Sequence, residues 1–228
     1  MNFYNNLKLI KELIRQTELE CDRKPGSVLL LAVSKQQSIE AINELFQLGI
    51  TNFGESYFQE AQKKIDAFKN SPICWHFIGP IQSNKTKGIA TSFNWVHSIS
   101  RFKIAQHLNE YRPRHLDPLN ICLQINLVEE KTKSGIPPEH AAELALAVNQ
   151  LPYLKLRGLM TIPPPQQDMQ SQYEIFKQLN QLMHSLNREL GLNMDTLSMG
   201  MSDDLVPAIK AGATIVRVGR ALFGERQK

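Results

Sequence analysis

Eight short apolar runs, each followed by polar turn residues and then by a stretch of helical periodicity, constrain the fold of this chain more than any other feature. The runs lie near 28–34, 50–54, 73–78, 94–98, 119–127, 154–159, 195–198 and 213–218. Between them, apolar residues recur every three or four positions near 38–48, 57–68, 84–90, 101–111, 138–150, 170–190 and 202–211. An earlier amphipathic stretch over 3–20 places Phe3, Leu7, Ile10 and Ile14 on one stripe. Strands that alternate with helices pair in parallel, because each helix carries the chain back to the same end of the sheet. Eight such units predict a closed (β/α)8 barrel with an extra N-terminal helix. An open doubly wound sheet shares the alternation, but the first turn here lacks the glycine-rich form of a dinucleotide fold. The 228 residues stand at the small end of the ~250 usual for a barrel. No Pro/Gly/Ser-rich linker or low-complexity tract divides them, so one domain is expected over 1–228.

Hydrophobic residues make up 42% of the chain and charged residues 21%, which supports a sizeable core and argues against disorder. The net charge is only +4. Its basic pairs (Lys63-Lys64, Lys85/Lys87, Arg112/Arg114, Lys131/Lys133) are spread out without interleaved aromatics. Solvated loops explain them better than a nucleic-acid surface. Cys21, Cys74 and Cys122 are an odd set at wide spacing, without metal-ligand or disulfide patterning. They read as reduced thiols, with Cys74 and Cys122 as small apolar strand residues. The N-terminus is charged every few residues and resembles neither a signal peptide nor a membrane span. A cytoplasmic protein without membrane partners is expected.

In a barrel the functional side chains gather at the C-terminal ends of the strands. Polar residues fall there: Lys35, Glu55-Ser56-Tyr57, Gln82-Ser83-Asn84-Lys85, His97-Ser98, Asn126 and Thr161. The last two units, Thr196 to Asp204 and Ala213 to Gly224, carry small residues and hydroxyls at their turns. Ser198, Gly200 and Ser202, with Gly219 and the N–H of Arg220, form an expected phosphate cradle, as after strands 7 and 8 of many barrels. Ser202 also fits an N-cap role ahead of Asp203-Asp204. A phosphate site together with Lys35, an amine at a strand end, is what pyridoxal 5'-phosphate (PLP) requires. Arg217 is a charge inside a buried strand and needs a partner. His76 reads as a hydrogen-bonded core histidine, His97 likewise, and Trp75 as packing. Met160, Met199 and Met201 are expected to pack around a cofactor plane.

The ordered set Ala32-Val-Ser-Lys35, Phe53-Gly-Glu55, Trp75-His-Phe-Ile-Gly79 with Gln82-Ser-Asn-Lys85, Lys133-Ser-Gly-Ile136, Arg157-Gly-Leu-Met160, Leu197-Ser-Met-Gly-Met-Ser-Asp-Asp204 and Val216-Arg-Val-Gly219 resembles the pyridoxal phosphate homeostasis protein family over nearly the whole chain. The resemblance implies a single (β/α)8 TIM barrel like the N-terminal domain of alanine racemases, the fold type III PLP barrel. It implies PLP held as an internal aldimine on Lys35, with Arg217 facing the pyridine nitrogen. It further implies a role in holding and delivering PLP, without robust catalysis, with apoenzymes as candidate recipients. Three departures concern the periphery: Ser56 where the family usually has asparagine, Ser100 where an acidic residue is common, and Arg220 where a small hydroxylic residue is common.

An amino-acid racemase on the same barrel is the alternative. It requires acids or bases on both faces of the substrate carbon. Alanine racemases recruit a tyrosine from an added domain of the partner subunit. Here the sequence runs only about ten residues past the strand-8 motif, and Tyr57 alone of the five tyrosines stands near the predicted rim. The expectation is therefore a PLP carrier, and a monomer. A phosphate-binding barrel enzyme without PLP remains a third reading if Lys35 forms no imine.

Overall fold

The computed structural model describes residues 2–128, 134–164, 166 and 168–224. Lys131 and Lys133, and with Lys133 the start of the Lys133–Ile136 motif, lie outside the described residues. Eight parallel strands close on themselves in sequence order, β1 through β8, with β8 returning to β1 through pairs such as Leu31 with Arg217. The strands are β1 (Leu29–Val33), β2 (Asn52–Glu55), β3 (Cys74–Phe77), β4 (Trp95–Ile99), β5 (Leu119–Gln124), β6 (Leu154–Met160), β7 (Thr196–Ser198) and β8 (Ile215–Val218). The helices are α1 (Phe3–Glu20), α2 (Ile39–Gln47), α3 (Phe58–Ala67), α4 (Thr86–Ser92), α5 (Phe102–Tyr111), α6 (Ala141–Asn149), α7 (Met169–Leu190), α8 (Leu205–Lys210) and α9 (Arg220–Phe223). Short 3₁₀ turns precede α4 and α6.

Local chemistry sets the helix ends. Asn2 caps α1 by accepting from the Asn5 N–H, Ser38 caps α2 through Ala41 N–H, and Asp168 caps α7 through Ser171 N–H. The longest helix, α7, stops at Gly191, whose φ of +64° is the left-handed conformation that glycine adopts without strain. Its stripe of Phe176, Leu179, Met183 and Leu186 is buried against the barrel, each side chain contributing roughly 1.5–3 kcal/mol.

One continuous apolar cluster fills the space between strands and helices, from Phe3 to Phe223. Leu31, Cys122, Met160 and Ile215 are equally buried but stand apart from it. They share the barrel interior with the polar side chains of His76, His97, Ser198 and Arg217, all buried. The alternation of strand side chains puts these residues inside. The N-terminal helix closes against the last element: Phe3 meets Phe223 edge-on at 5.9 Å, and the Asn6 amide donates to Leu222 O at 3.0 Å.

One sequence expectation changes. Helix α8 begins at Leu205 with Asp204 at its N-cap, so Ser202 is not the cap. The carboxylate of Asp204 instead accepts from Met201 N–H across a tight turn, 2.5 Å. Helix α9, a single four-residue turn after β8, is too short to show periodicity in the sequence. Among the described residues, no helix is long and apolar enough to cross a membrane.

Candidate functional site

A cavity of about 540 Å³ opens at the C-terminal mouth of the barrel. Val33, Lys35 and Gln37 line it from the end of β1, Ser56 from the end of β2, and Ile78 and Ile162 from the ends of β3 and β6. Met201, Ser202 and Asp203 close one side; Arg217, Gly219, Arg220 and Gly224 close the other. Six of the eight expected site residues therefore meet in one place: Lys35, Ser56, Ser202, Arg217, Gly219 and Arg220.

Ser198 and Gly200 do not line the cavity. Ser198 is fully buried below it, and its hydroxyl is engaged by Arg217 and His97, so it is a support for Arg217 rather than a phosphate contact. Gly200 has φ +90° and contributes its carbonyl to the Arg217 N–H at 2.9 Å. A Cβ there would also press against Ala208, which makes its glycine a backbone requirement. Of the three methionines, Met160 and Met199 are fully buried and only Met201 reaches the cavity.

Lys35 is half-buried at the centre of a turn in which Gln37 N–H donates to Ser34 O at 3.0 Å. Ser202 accepts from Ala221 N–H at 3.3 Å, tying the β7–α8 turn to α9. Arg220 is exposed and paired with the carboxylate of Asp203, 2.6 Å to Oδ1. Exposed pairs of this kind are worth little to stability, but this one commits the guanidinium to Asp203.

Arg217 stands on the interior face of β8. Its guanidinium donates to Ser198 Oγ at 2.9 Å and to Thr161 O at 2.9 Å, using two of the five N–H groups a guanidinium carries. Burial pushes its pKa down to about 10, opposed by the nearby Asp204 carboxylate, so it is still a cation at neutral pH. Asp204 is in turn held above the usual carboxylate range by burial, against the pull of Met201 N–H and Arg217.

Below Arg217 runs a chain of hydrogen bonds along the barrel interior. His97 Nδ1 lies 2.7 Å from Ser198 Oγ, His97 Nε2 lies 3.0 Å from His76 Nδ1, and His76 Nε2 lies 3.1 Å from Asn52 Oδ1. Both ends set its direction. Arg217 can only donate, so Ser198 Oγ accepts from it and turns its own proton to His97 Nδ1. At the other end the Asn52 amide nitrogen donates to Thr51, leaving Oδ1 to accept from His76. Both histidines are then neutral and carry their proton on Nε2. Burial agrees: it pushes His76 down to about 3 and His97 well below its ordinary value, with His76 and Arg217 adding to the effect on His97. Trp95 stacks on His76 at 5.5 Å. His76 and His97 are thus the hydrogen-bonded core histidines expected, and the structure joins them in one chain that also serves Arg217, a connection invisible in linear sequence.

Gln37, Ile78, Ile162, Asp203 and Gly224 are cavity residues that sequence reasoning did not single out. Each follows a strand end or a flagged motif by a few positions, which was the available signal. An ion cluster of the buried Glu55 and Lys64 with the partly exposed Glu60, behind Lys35, was missed as well. Its signal was the helical spacing of Glu60 and Lys64 next to a strand-end glutamate. A smaller cavity of about 240 Å³, with Gln124 and Ser134 on its wall, shares Ile78 and Ile162 with the first. Among the described residues, no group of His, Cys, Asp or Glu could hold a metal ion.

The sequence profile of the alanine racemase N-terminal domain matches residues 4–227. The chain belongs to that family. Within the family, a pyridoxal phosphate homeostasis protein of Pseudomonas aeruginosa is 51% identical over 221 residues, 97% of this chain and 94% of its own length. The structure of PipY from Synechococcus elongatus with PLP bound matches with a TM-score of 0.82 and 32% identity, covering 92% of this chain and 100% of PipY. Alanine racemase of Clostridium difficile shares the fold, with a TM-score of 0.77 at 17% identity. It covers 100% of this chain, which spans only 60% of that enzyme.

The donor set at the mouth suits PLP. An amine stands at one wall, a buried cation at another, and a hydroxyl with a glycine-flanked turn between them. The flat, dianionic cofactor needs an amine for its aldehyde, donors for its phosphate and a partner for its ring nitrogen.

Proposed function

We propose that the protein holds PLP in the barrel mouth as a Schiff base on Lys35 and contributes to intracellular PLP and amino-acid balance without robust catalysis. The observation that carries this reading is the convergence of Lys35 and Arg217 on one cavity, with Lys35 the one lysine lining it among the described residues. The names of its relatives and PLP in the PipY structure support it.

Each residue has a part. The Lys35 amine attaches the aldehyde. Arg217, an obligate donor, faces the ring nitrogen and leaves it unprotonated, so the ring is a poor electron sink. That suits carriage better than decarboxylation or transamination. Ser202 and the Gly219–Arg220 turn take the phosphate, with Ser56 at the periphery. The cavity walls bring no tyrosine or histidine among the described residues, and Tyr57 is 54% exposed outside them. Asp203, the one carboxylate on the described wall, is paired with Arg220, so the second acid or base of a racemase has no uncommitted candidate there. We assign the protein to the cytoplasm, as a monomer of one barrel domain that donates PLP to apoenzymes.

The test is an absorbance spectrum with PLP before and after borohydride, followed by peptide mass mapping. A band that collapses on reduction and a pyridoxyl adduct on Lys35 are expected; Lys35→Ala keeps the fold and loses both. A colourless, unmodified wild-type protein in excess PLP, or full colour in the Lys35→Ala variant, defeats the assignment.

A further inference from the structure

The segment that presents Lys35 is held in a conformation it would not choose alone. Ser34 to Gln37 form a four-residue turn, closed by Gln37 N–H on Ser34 O, with Lys35 and Gln36 as its central pair. Gln36 has φ +61°. A positive φ at the third position marks the turn type that favours glycine, and it is unfavourable for a residue with a side chain. Strain of this kind persists only where the surroundings over-determine it.

The surroundings here are three charged side chains that touch both neighbours of Lys35. The Gln36 N–H donates to Glu60 Oε1 at 2.5 Å. Lys64, buried on α3, donates to Ser34 O at 2.7 Å, to Glu60 Oε1 at 2.5 Å and to Glu55 Oε1 at 2.8 Å. The Ser34 hydroxyl donates to the same Glu55 oxygen at 2.6 Å. Three elements (α3, β2 and the turn after β1) are therefore tied at one ammonium group. A buried ion cluster is a poor source of stability, since hydrophobic residues of like volume do as well. Its geometric value is greater: it fixes the residue before Lys35 and the residue after it.

We propose that Lys64, Glu60 and Glu55 are positioning residues that hold the strained Ser34–Gln37 turn and so aim the Lys35 amine into the cavity. The proposal rests on the Schiff-base role of Lys35 given above. Amine placement matters only for a ligand with an aldehyde. The experiment therefore compares PLP with pyridoxine 5'-phosphate, which has the same ring and phosphate but an alcohol where PLP has its aldehyde.

Affinity for both ligands is measured on the whole chain for wild type, Glu60→Ala, Glu60→Gln and Lys64→Met, with circular dichroism as the folding control. Glu60→Ala is expected to weaken PLP roughly ten- to a hundredfold, the size of effect a small misplacement of a reacting group produces. It should leave pyridoxine 5'-phosphate unchanged. Glu60→Gln keeps an acceptor for Gln36 N–H and should recover most of the loss. Adding Gln36→Gly to Glu60→Ala should also recover part of it, because glycine adopts the turn without strain. Lys64→Met should behave as Glu60→Ala or worse; if it fails to fold, the Glu60 variants carry the test alone. Equal losses for both ligands would reduce the cluster to a structural one and overturn the proposal, as would no loss for PLP. A wild-type protein that yields no borohydride-trapped adduct would overturn the Schiff-base role, and the positioning role with it, before any variant is compared.

Discussion

Each ring nitrogen of the two interior histidines has a hydrogen-bond partner, and that pairing decides how the protein responds to acid. In the fold, burial keeps His76 neutral down to about pH 3, with His97 also held well below its ordinary value. In the unfolded chain both take up protons below about 6.5. Below that pH the unfolded state binds more protons, so stability is full above about 6.5 and falls as the pH drops toward 3. His76 alone should cost about 2 kcal/mol between pH 6.5 and 5. Glu55 and Asp204, whose pKa values burial raises, act in the opposite direction as they protonate. Urea unfolding of the ligand-free protein at pH 7 and pH 5 measures the balance. His76→Gln, which cannot titrate, should show a shallower loss than wild type; an equal slope would mean His76 is not a buried neutral base. The histidines were legible as core residues from their strand positions. Their link to Ser198 was not, because it spans 101 residues of chain.

At the scale of elements, two glycines separate what the backbone requires from what packing requires. Gly191 ends α7 at φ +64°, with open space where a Cβ would go. Gly191→Ala should cost about 1 kcal/mol, a backbone effect alone. Gly158 pairs with Thr196 across the parallel strands β6 and β7, and a Cβ there would overlap the Thr196 carbonyl. Gly158→Ala should cost roughly 3 kcal/mol or more, since a strand must move to admit it. Chemical denaturation of both variants checks the contrast, and similar costs would contradict the close approach of the two strands. The first glycine was readable as a helix stop. The second was not, because nothing local distinguishes it from a flexible strand residue. Periodicity likewise revealed α7, with its long apolar stripe, and missed α9, which owes its helical turn to packing against α1.

For the whole molecule, ligand binding and stability are linked, because the cavity exists only when the barrel is folded. The cavity is assembled from turns after β1, β2, β3, β6, β7 and β8, so a ligand that spans it opposes unfolding of all of them. At a PLP concentration one hundred times its Kd, the unfolding free energy should rise by about 2.7 kcal/mol. Urea titrations with and without PLP read this directly, and no shift under saturating PLP would argue against binding to the native fold. Light scattering on the eluted protein should give the mass of one chain; a dimer would correct the assembly proposed above.

The order of apolar runs, their periods and the polar residues at their ends determined the barrel, its extra N-terminal helix and about half of the cavity wall. Those properties are local or follow from parallel pairing, and a linear pattern carries them. Tertiary structure alone decided which polar residues face the ligand and which face one another. Ser198 and Ser202 stand four positions apart in the same motif, yet one supports Arg217 from below while the other lines the cavity. Lys64 was read with Lys63 as a solvated loop charge, and the fold places it on α3 and buries it against the turn that carries Lys35. A hydrogen bond depends on distance and direction in space, and strand pairing brings together groups whose separation along the chain leaves no local trace.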